Sequence, residues 1–193
     1  MRLKILYSGH GFGTKALFAF IGAVSRQPVL DAVKLVRYRP DFYGGPMSKI
    51  TQDVMRGPST WSVGDRELMA AVVANTNECE WCTKAHSAVA ERAYSDAGRV
   101  SAVLANLETV PIEAPLRATL RMIRKLSREH SANVNDMRAL LAAGVSRDQI
   151  EDALAVCFAF NTMSRLADAF GFFLPGPSAF EAGAKYLIAR GYR

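Results

Sequence analysis

Four residues concentrate the chemistry of this sequence: Glu67, Cys79, Cys82 and His86, spaced Glu67-x11-Cys79-Glu-Trp-Cys82-x3-His86. Cys82 and His86 are four apart, so a helix sets them on one face with the imidazole in reach of the thiol. Cys79 and Cys82, three apart at a helix start, bring two sulfurs within bonding range. Backbone N–H groups at that end favour an anion and lower a thiol from its ordinary pKa of about 8.5 toward the nucleophilic thiolate. Glu67 lies on the preceding helix, where an antiparallel hairpin would fold its carboxylate against His86. There it would orient the imidazole and raise its basicity. Proximity to His86 favours Cys82 as the attacking sulfur; nearness to the helix end favours Cys79.

Other uses of the same residues compete. A zinc-held scaffold would take Cys79, Cys82, His86 and Glu67 as ligands. Against it, the ligands crowd within two helical turns and no second CxxC or HxxxH exists. A c-type haem needs histidine directly after the second cysteine, where Thr83 stands. A thioredoxin fold needs strands around its CxxC, and none are predicted. Inert burial is disfavoured by Glu78, Glu80 and Lys84, which mark a wet helix end. A redox sensor that reacts without turnover remains an alternative.

The elements that must position these residues read as helix after helix. Helices are predicted over about 13–26, 29–38 and 48–56, with a turn cluster at Arg39–Pro46 and a break at Gly57-Pro58. Ser62 is the candidate N-cap of a helix to Thr76-Asn77. The cysteine helix then runs from near Cys79 to about Ala97, closed by Gly98. Further helices span 116–130, 135–143 (stopped by Gly144) and 147–170. The last of these opens on a Ser146/Gln149 capping box and closes on Gly171. Ser178 with Glu181 predicts the cap of a final helix over about 178–190. Period-two alternation is nearly absent, so the fold class is all-α in one domain over 1–193. A shift of 82 positions lays Gly64–Gly98 on 146–180, with Asn161, Ser164 and Asp168 in place of Cys79, Cys82 and His86. This predicts a degenerate internal repeat.

Composition bounds the setting. The chain has 193 residues, half of them hydrophobic, enough for a core of its own. Apolar runs such as Ala16–Val24 fall short of the roughly 20 residues of a membrane span, and Leu17, Phe20, Ile21 and Val24 follow an amphipathic helical period. With three cysteines there is no secreted disulfide framework, so cytoplasmic residence is expected. Cys157 lies in an apolar run and reads as core filler. A net charge of +6 invites a nucleic-acid partner. Yet the densest basic cluster, Arg117, Arg121, Arg124, Lys125 and Arg128, reads as the wet face of a helix. The helix-turn-helix look of Leu140–Ile150 fails because the would-be recognition helix continues into Ala153–Phe160, built for burial. Neither nucleic acid nor membrane is an expected partner.

At Glu67, Cys79, Cys82 and His86 the sequence resembles the alkylhydroperoxidase D and carboxymuconolactone decarboxylase superfamily. It is most similar to the peroxidase-related branch at Arg39-Pro-Asp-Phe-Tyr-Gly, Arg56-Gly-Pro-Ser-Thr-Trp-Ser and Asn161-x3-Arg165-Leu-Ala-Asp168, and the resemblance extends from about Ala32 to Phe172. It implies an alkylhydroperoxidase D-like helical fold assembled as a trimer or hexamer. It also implies a thiol-dependent peroxidase, with hydroperoxide as substrate and no bound cofactor. An external dithiol, such as a protein-bound lipoyl group, would be the reductant. Cys82 would then be the peroxidatic thiol, Cys79 the resolving one, and His86 with Glu67 the proton relay. Some members carry a second histidine just before the second cysteine; Trp81 stands there instead, an apolar ring that would shape or cover the site. Decarboxylase members generally lack the CxxC, which argues against lactone decarboxylation. Asn161, Arg165 and Asp168 share a face of an otherwise apolar helix and read as a polar packing network or a wall of the pocket.

Overall fold

Seven consecutive residues, Leu68 to Ala74, are buried on every side of one helix, which makes that helix the axis of the molecule. It is α5 (Val63–Thr76) in a computed structural model that describes residues 1–192. The other helices are α1 (Ile5–Ser8), α2 (Phe12–Ser25), α3 (Asp31–Tyr38), α4 (Gly45–Arg56), α6 (Glu80–Tyr94), α7 (Ala97–Ala105), α8 (Ala114–Glu129), α9 (Val134–Ala142), α10 (Arg147–Phe170) and α11 (Pro177–Arg190). The described residues contain no strand, as expected. α6, α8 and α10 pack around α5, and α11 lies along α6. No helix among the described residues is long and apolar enough to cross a membrane.

Local sequence explains where most helices begin and end. Ser62 accepts the Asp65 N–H at 3.0 Å and Asp65 accepts the Ser62 N–H at 3.0 Å, a reciprocal cap that starts α5. Ser146 and Gln149 do the same for α10, and Gly171, at φ 61°, ends it. Gly64 lets α5 approach α6, since a Cβ there would lie 2.6 Å from the Tyr94 ring.

Several expectations fail. The turn cluster at 39–46 is instead a π-helical turn, Pro40–Gly44, that runs straight into α4. Gly98 does not close the cysteine helix. Ser95, at φ 56°, ends it, and Asp96 caps a new helix, α7, by accepting the Gly98 and Arg99 N–H groups at 2.9 and 3.1 Å. Ser178 and Glu181 form no cap; Gly176 occupies that position and Pro177 begins the helix. The 82-residue repeat is also overturned. The turn Asn77–Cys79 would map onto 159–161, which lies in the middle of the unbroken α10. The shared apolar pattern of α5 and α10 comes from two helices facing one core, not from two hairpins.

The basic face of α8 is spent within the chain. Arg117 bonds the Leu107 and Val110 carbonyls, Arg121 and Arg124 pair with Glu108, and Lys125 holds Asp136 at 2.7 Å. The predicted amphipathic period of α2 is only half covered: Leu17 and Ile21 are half-buried, while Phe12, Phe20 and Val24 stand exposed.

Candidate active site

Each predicted residue reaches the site by a short local device. Asn77 and Glu78 turn the chain between α5 and α6, with Glu78 in the left-handed region at φ 59° and the Cys79 N–H bonded to the Ala74 carbonyl at 3.0 Å. This places Cys79 at the head of α6, Cys82 in its first turn and His86 one turn further. Glu67, in the second turn of α5, faces His86 across the hairpin, and Nδ1 of His86 lies 2.8 Å from Oε2 of Glu67. The expected carboxylate–imidazole contact is therefore present.

Glu67 is wholly buried and surrounded by donors. Arg56 Nη2 lies 2.7 Å from Oε1, and the Tyr192 hydroxyl donates to the carboxylate, 2.9 Å from Oε1 and 3.1 Å from Oε2. Burial acts to raise the Glu67 pKa, but His86 and then Arg56 outweigh it and hold the carboxyl below its ordinary range. An ionised carboxylate only accepts, so His86 Nδ1 must carry the proton, and Nε2 makes no hydrogen bond among the described residues. The ring packs edge-on against Phe160, centroids 4.3 Å apart.

The two thiols are free and buried, Cys79 at 0% and Cys82 at 3% exposure. The wet helix end predicted from Glu78, Glu80 and Lys84 stops short of them. Trp81 and Phe172 pack over the sulfurs together with Ala74 and Ala167, so charged neighbours in sequence coexist with a dry pair in space. The Cys82 thiol donates to the Cys79 sulfur; this, against burial and with help from the Cys82 backbone N–H, lowers the Cys79 pKa. The same donation, with burial, pushes Cys82 far up, so it keeps its proton. No hydrogen bond joins His86 to either thiol among the described residues. The His86 contact on which the sequence argument for Cys82 rested is thus not formed, and of the two thiols it is Cys79 whose pKa is lowered.

Residues without a predicted role complete the site. Arg56 lies in the Arg56-Gly-Pro-Ser-Thr-Trp-Ser segment, whose Ser59 and Trp61 tie the α4–α5 link to α10 through Asp152 at 2.6 Å and the Gln149 carbonyl at 2.9 Å. Tyr192 carried no sequence signal. The face of Asn161, Arg165 and Asp168 divides. Asn161 joins Asn77, Ser127 and Cys157 at 2.9–3.2 Å in a packing network. Arg165 is exposed, and Asp168 contacts the Cys79 thiol. Beside Asp168 lies a cavity of about 310 Å³ walled by Trp81, Phe172, Leu174, Glu80 and Arg2. Trp81 meets Phe172 and Phe180 edge-on at 5.2 and 5.9 Å, the covering role expected of that ring. No group of three or more His, Cys, Asp or Glu among the described residues is arranged to hold a metal ion, since Glu67 and His86 Nδ1 are turned toward each other.

A model of the carboxymuconolactone decarboxylase family matches residues 43–125, the segment that holds Glu67, both paired cysteines and His86. That segment of the chain is similar to the carboxymuconolactone decarboxylase family. Solved structures share this helical fold over nearly the whole chain. One is a peroxidase-related protein from Silicibacter sp. TM1040, with TM-score 0.77, 23% identity and 91% of each chain covered. Another is an alkylhydroperoxidase AhpD core, peroxidase-related protein from Ralstonia eutropha JMP134, with TM-score 0.75, 20% identity and 92% of each chain covered. The debrominase Bmp8 is similar at TM-score 0.66 and 12% identity, with 90% of this chain and 91% of that one covered. No curated protein sequence matches. The fold shared with these structures thus extends across the helices around the cysteine pair, while the chemistry rests on the side chains.

Proposed function

We propose that this protein is a thiol-dependent peroxidase of the alkylhydroperoxidase D and carboxymuconolactone decarboxylase superfamily. The observation that carries the reading is the pairing of Cys79 with Cys82 at a buried helix start, one turn from an imidazole fixed by an ionised carboxylate. The Cys79 thiolate attacks the outer oxygen of a hydroperoxide. The O–O bond breaks, the alkoxide takes a proton to leave as an alcohol, and Cys79 becomes a sulfenic acid. Cys82 then attacks that sulfur, and its proton passes by way of His86 to the departing hydroxide, which leaves as water with the S–S bond formed. An external dithiol, of the lipoyl type in the family expectation, reduces the disulfide by exchange.

Three free cysteines suit a reducing, cytoplasmic setting. The exposed apolar side of α2 suits contact with a second copy in a trimer or hexamer.

Thiol counting tests the reading. One equivalent of cumene hydroperoxide should reduce the free thiols from three to one, and dihydrolipoamide should restore them. In Cys82→Ser, dimedone should trap a sulfenic acid on Cys79; trapping on Cys82 in Cys79→Ser would reverse the roles of the two sulfurs. Steady-state turnover separates an enzyme from a single-use sensor. Retention of all three thiols after peroxide overturns the proposal.

A further inference from the structure

Gly191 and Tyr192, past the end of α11, reach back over the relay. Gly191 ends α11 at φ 68°, and a Cβ there would lie 2.4 Å from Gln52 Oε1, so both the conformation and the space call for glycine. The same Gln52 oxygen accepts the Tyr192 N–H at 2.7 Å. This turn delivers the Tyr192 hydroxyl to Glu67 and lays its ring over His86, centroids 6.5 Å apart and 25° between planes. The Arg56 guanidinium sits 5.1 Å from the centre of the tyrosine ring. Burial first, and then the Glu67 charge, push the hydroxyl well above its ordinary pKa of 10, so it stays a donor.

We propose that Tyr192 is a positioning residue of the relay: it holds Glu67 so that His86 keeps its proton on Nδ1 and presents Nε2 as the base. The inference rests on reading Glu67 and His86 as the relay of thiol chemistry. Glu67 shares its charge among Arg56, Tyr192 and His86, and each donor tempers its pull on an imidazolium. Without the hydroxyl, Glu67 loses one of the three donors that fix it, and the contact that keeps the proton on Nδ1 and leaves Nε2 free for the proton of Cys82 is no longer held in place.

Tyr192→Phe keeps the ring and removes only the hydroxyl. Two measurements on the full chain read its effect: the ¹⁵N chemical shifts of the His86 ring, which report the tautomer, and the rate of thiol loss driven by cumene hydroperoxide across pH. The variant is expected to lose the single Nδ1–H tautomer and to lose its thiols about three- to tenfold more slowly. Gln52→Ala, which releases Tyr192 without touching Glu67, should move both the same way by less. A His86 tautomer unchanged in Tyr192→Phe overturns the inference, even if melting temperature falls and the wild type loses its thiols normally. If the wild type loses no thiols while His86 still shifts in the variant, the peroxidase reading falls and the positioning role stands.

Discussion

Nδ1 of His86 lies 2.8 Å from Oε2 of Glu67, although the two residues stand 19 apart in the chain and on different helices. Glu67 is wholly buried, and its other oxygen is paired with Arg56. Removing the carboxylate charge therefore strands the Arg56 guanidinium in a largely dry site. Glu67→Gln is expected to cost about 3–5 kcal/mol of unfolding free energy, the range for breaking one side of a buried pair. Urea denaturation at pH 7 checks this; a loss under about 1 kcal/mol would show that the pair is solvated.

The same carboxylate makes stability depend on pH. Its folded pKa lies below the unfolded value of about 4.3, so its contribution is fully present above that pH and is lost as pH falls through the folded value. Glu67→Gln should lose less stability than the wild type on acidification from pH 5 to pH 3. Parallel denaturation curves at several pH values give the comparison, and equal losses in both proteins would count against a depressed Glu67.

Cys82 acts on Cys79 as a hydrogen-bond donor. Cys82→Ala deletes the donor and should raise the Cys79 pKa toward the ordinary thiol value of about 8.5. Cys82→Ser retains an O–H and should leave it lower. Thiolate absorbance at 240 nm, titrated in both variants, ranks the two; an alanine variant with the lower midpoint would contradict the donor role.

Trp81 and Phe172 close the thiols from solvent. Trp81→Ala should increase the rate at which a bulky aromatic disulfide labels Cys79 and Cys82, with a much smaller effect on a peroxide. Because the ring is only partly buried, the stability loss should be about 2–3 kcal/mol, below that of a fully buried aromatic. Labelling kinetics unchanged by the substitution would place the entry route elsewhere.

Asn161 links α10 to the α5–α6 turn through Asn77 and to α8 through Ser127. Asn161→Ala leaves the Asn77 amide without that acceptor and should cost about 1–3 kcal/mol. Cys157, beside it, should remain unoxidised when peroxide is added, which mass spectrometry of alkylated peptides reads directly.

The sequence by itself determined most of the helices and the carboxylate–imidazole contact beside the two cysteines. Caps such as Ser62 and Ser146, stops such as Gly171, and four-residue spacing on one helix act over a few residues, so they are written locally. Asp96 was also a local signal, a helix-capping residue hidden behind a glycine that looked like a stop. What only the tertiary structure decided depends on burial and on residues far apart in the chain. Charged neighbours suggested wet thiols, but Phe172 from beyond α10 helps to cover them. The ranking of the two sulfurs turned on where a donor points, which spacing leaves open. Arg56 and Tyr192 converge on Glu67 from 11 residues before it and 125 after it, and no local pattern announces a meeting made by packing α4 and α11 against the α5–α6 hairpin.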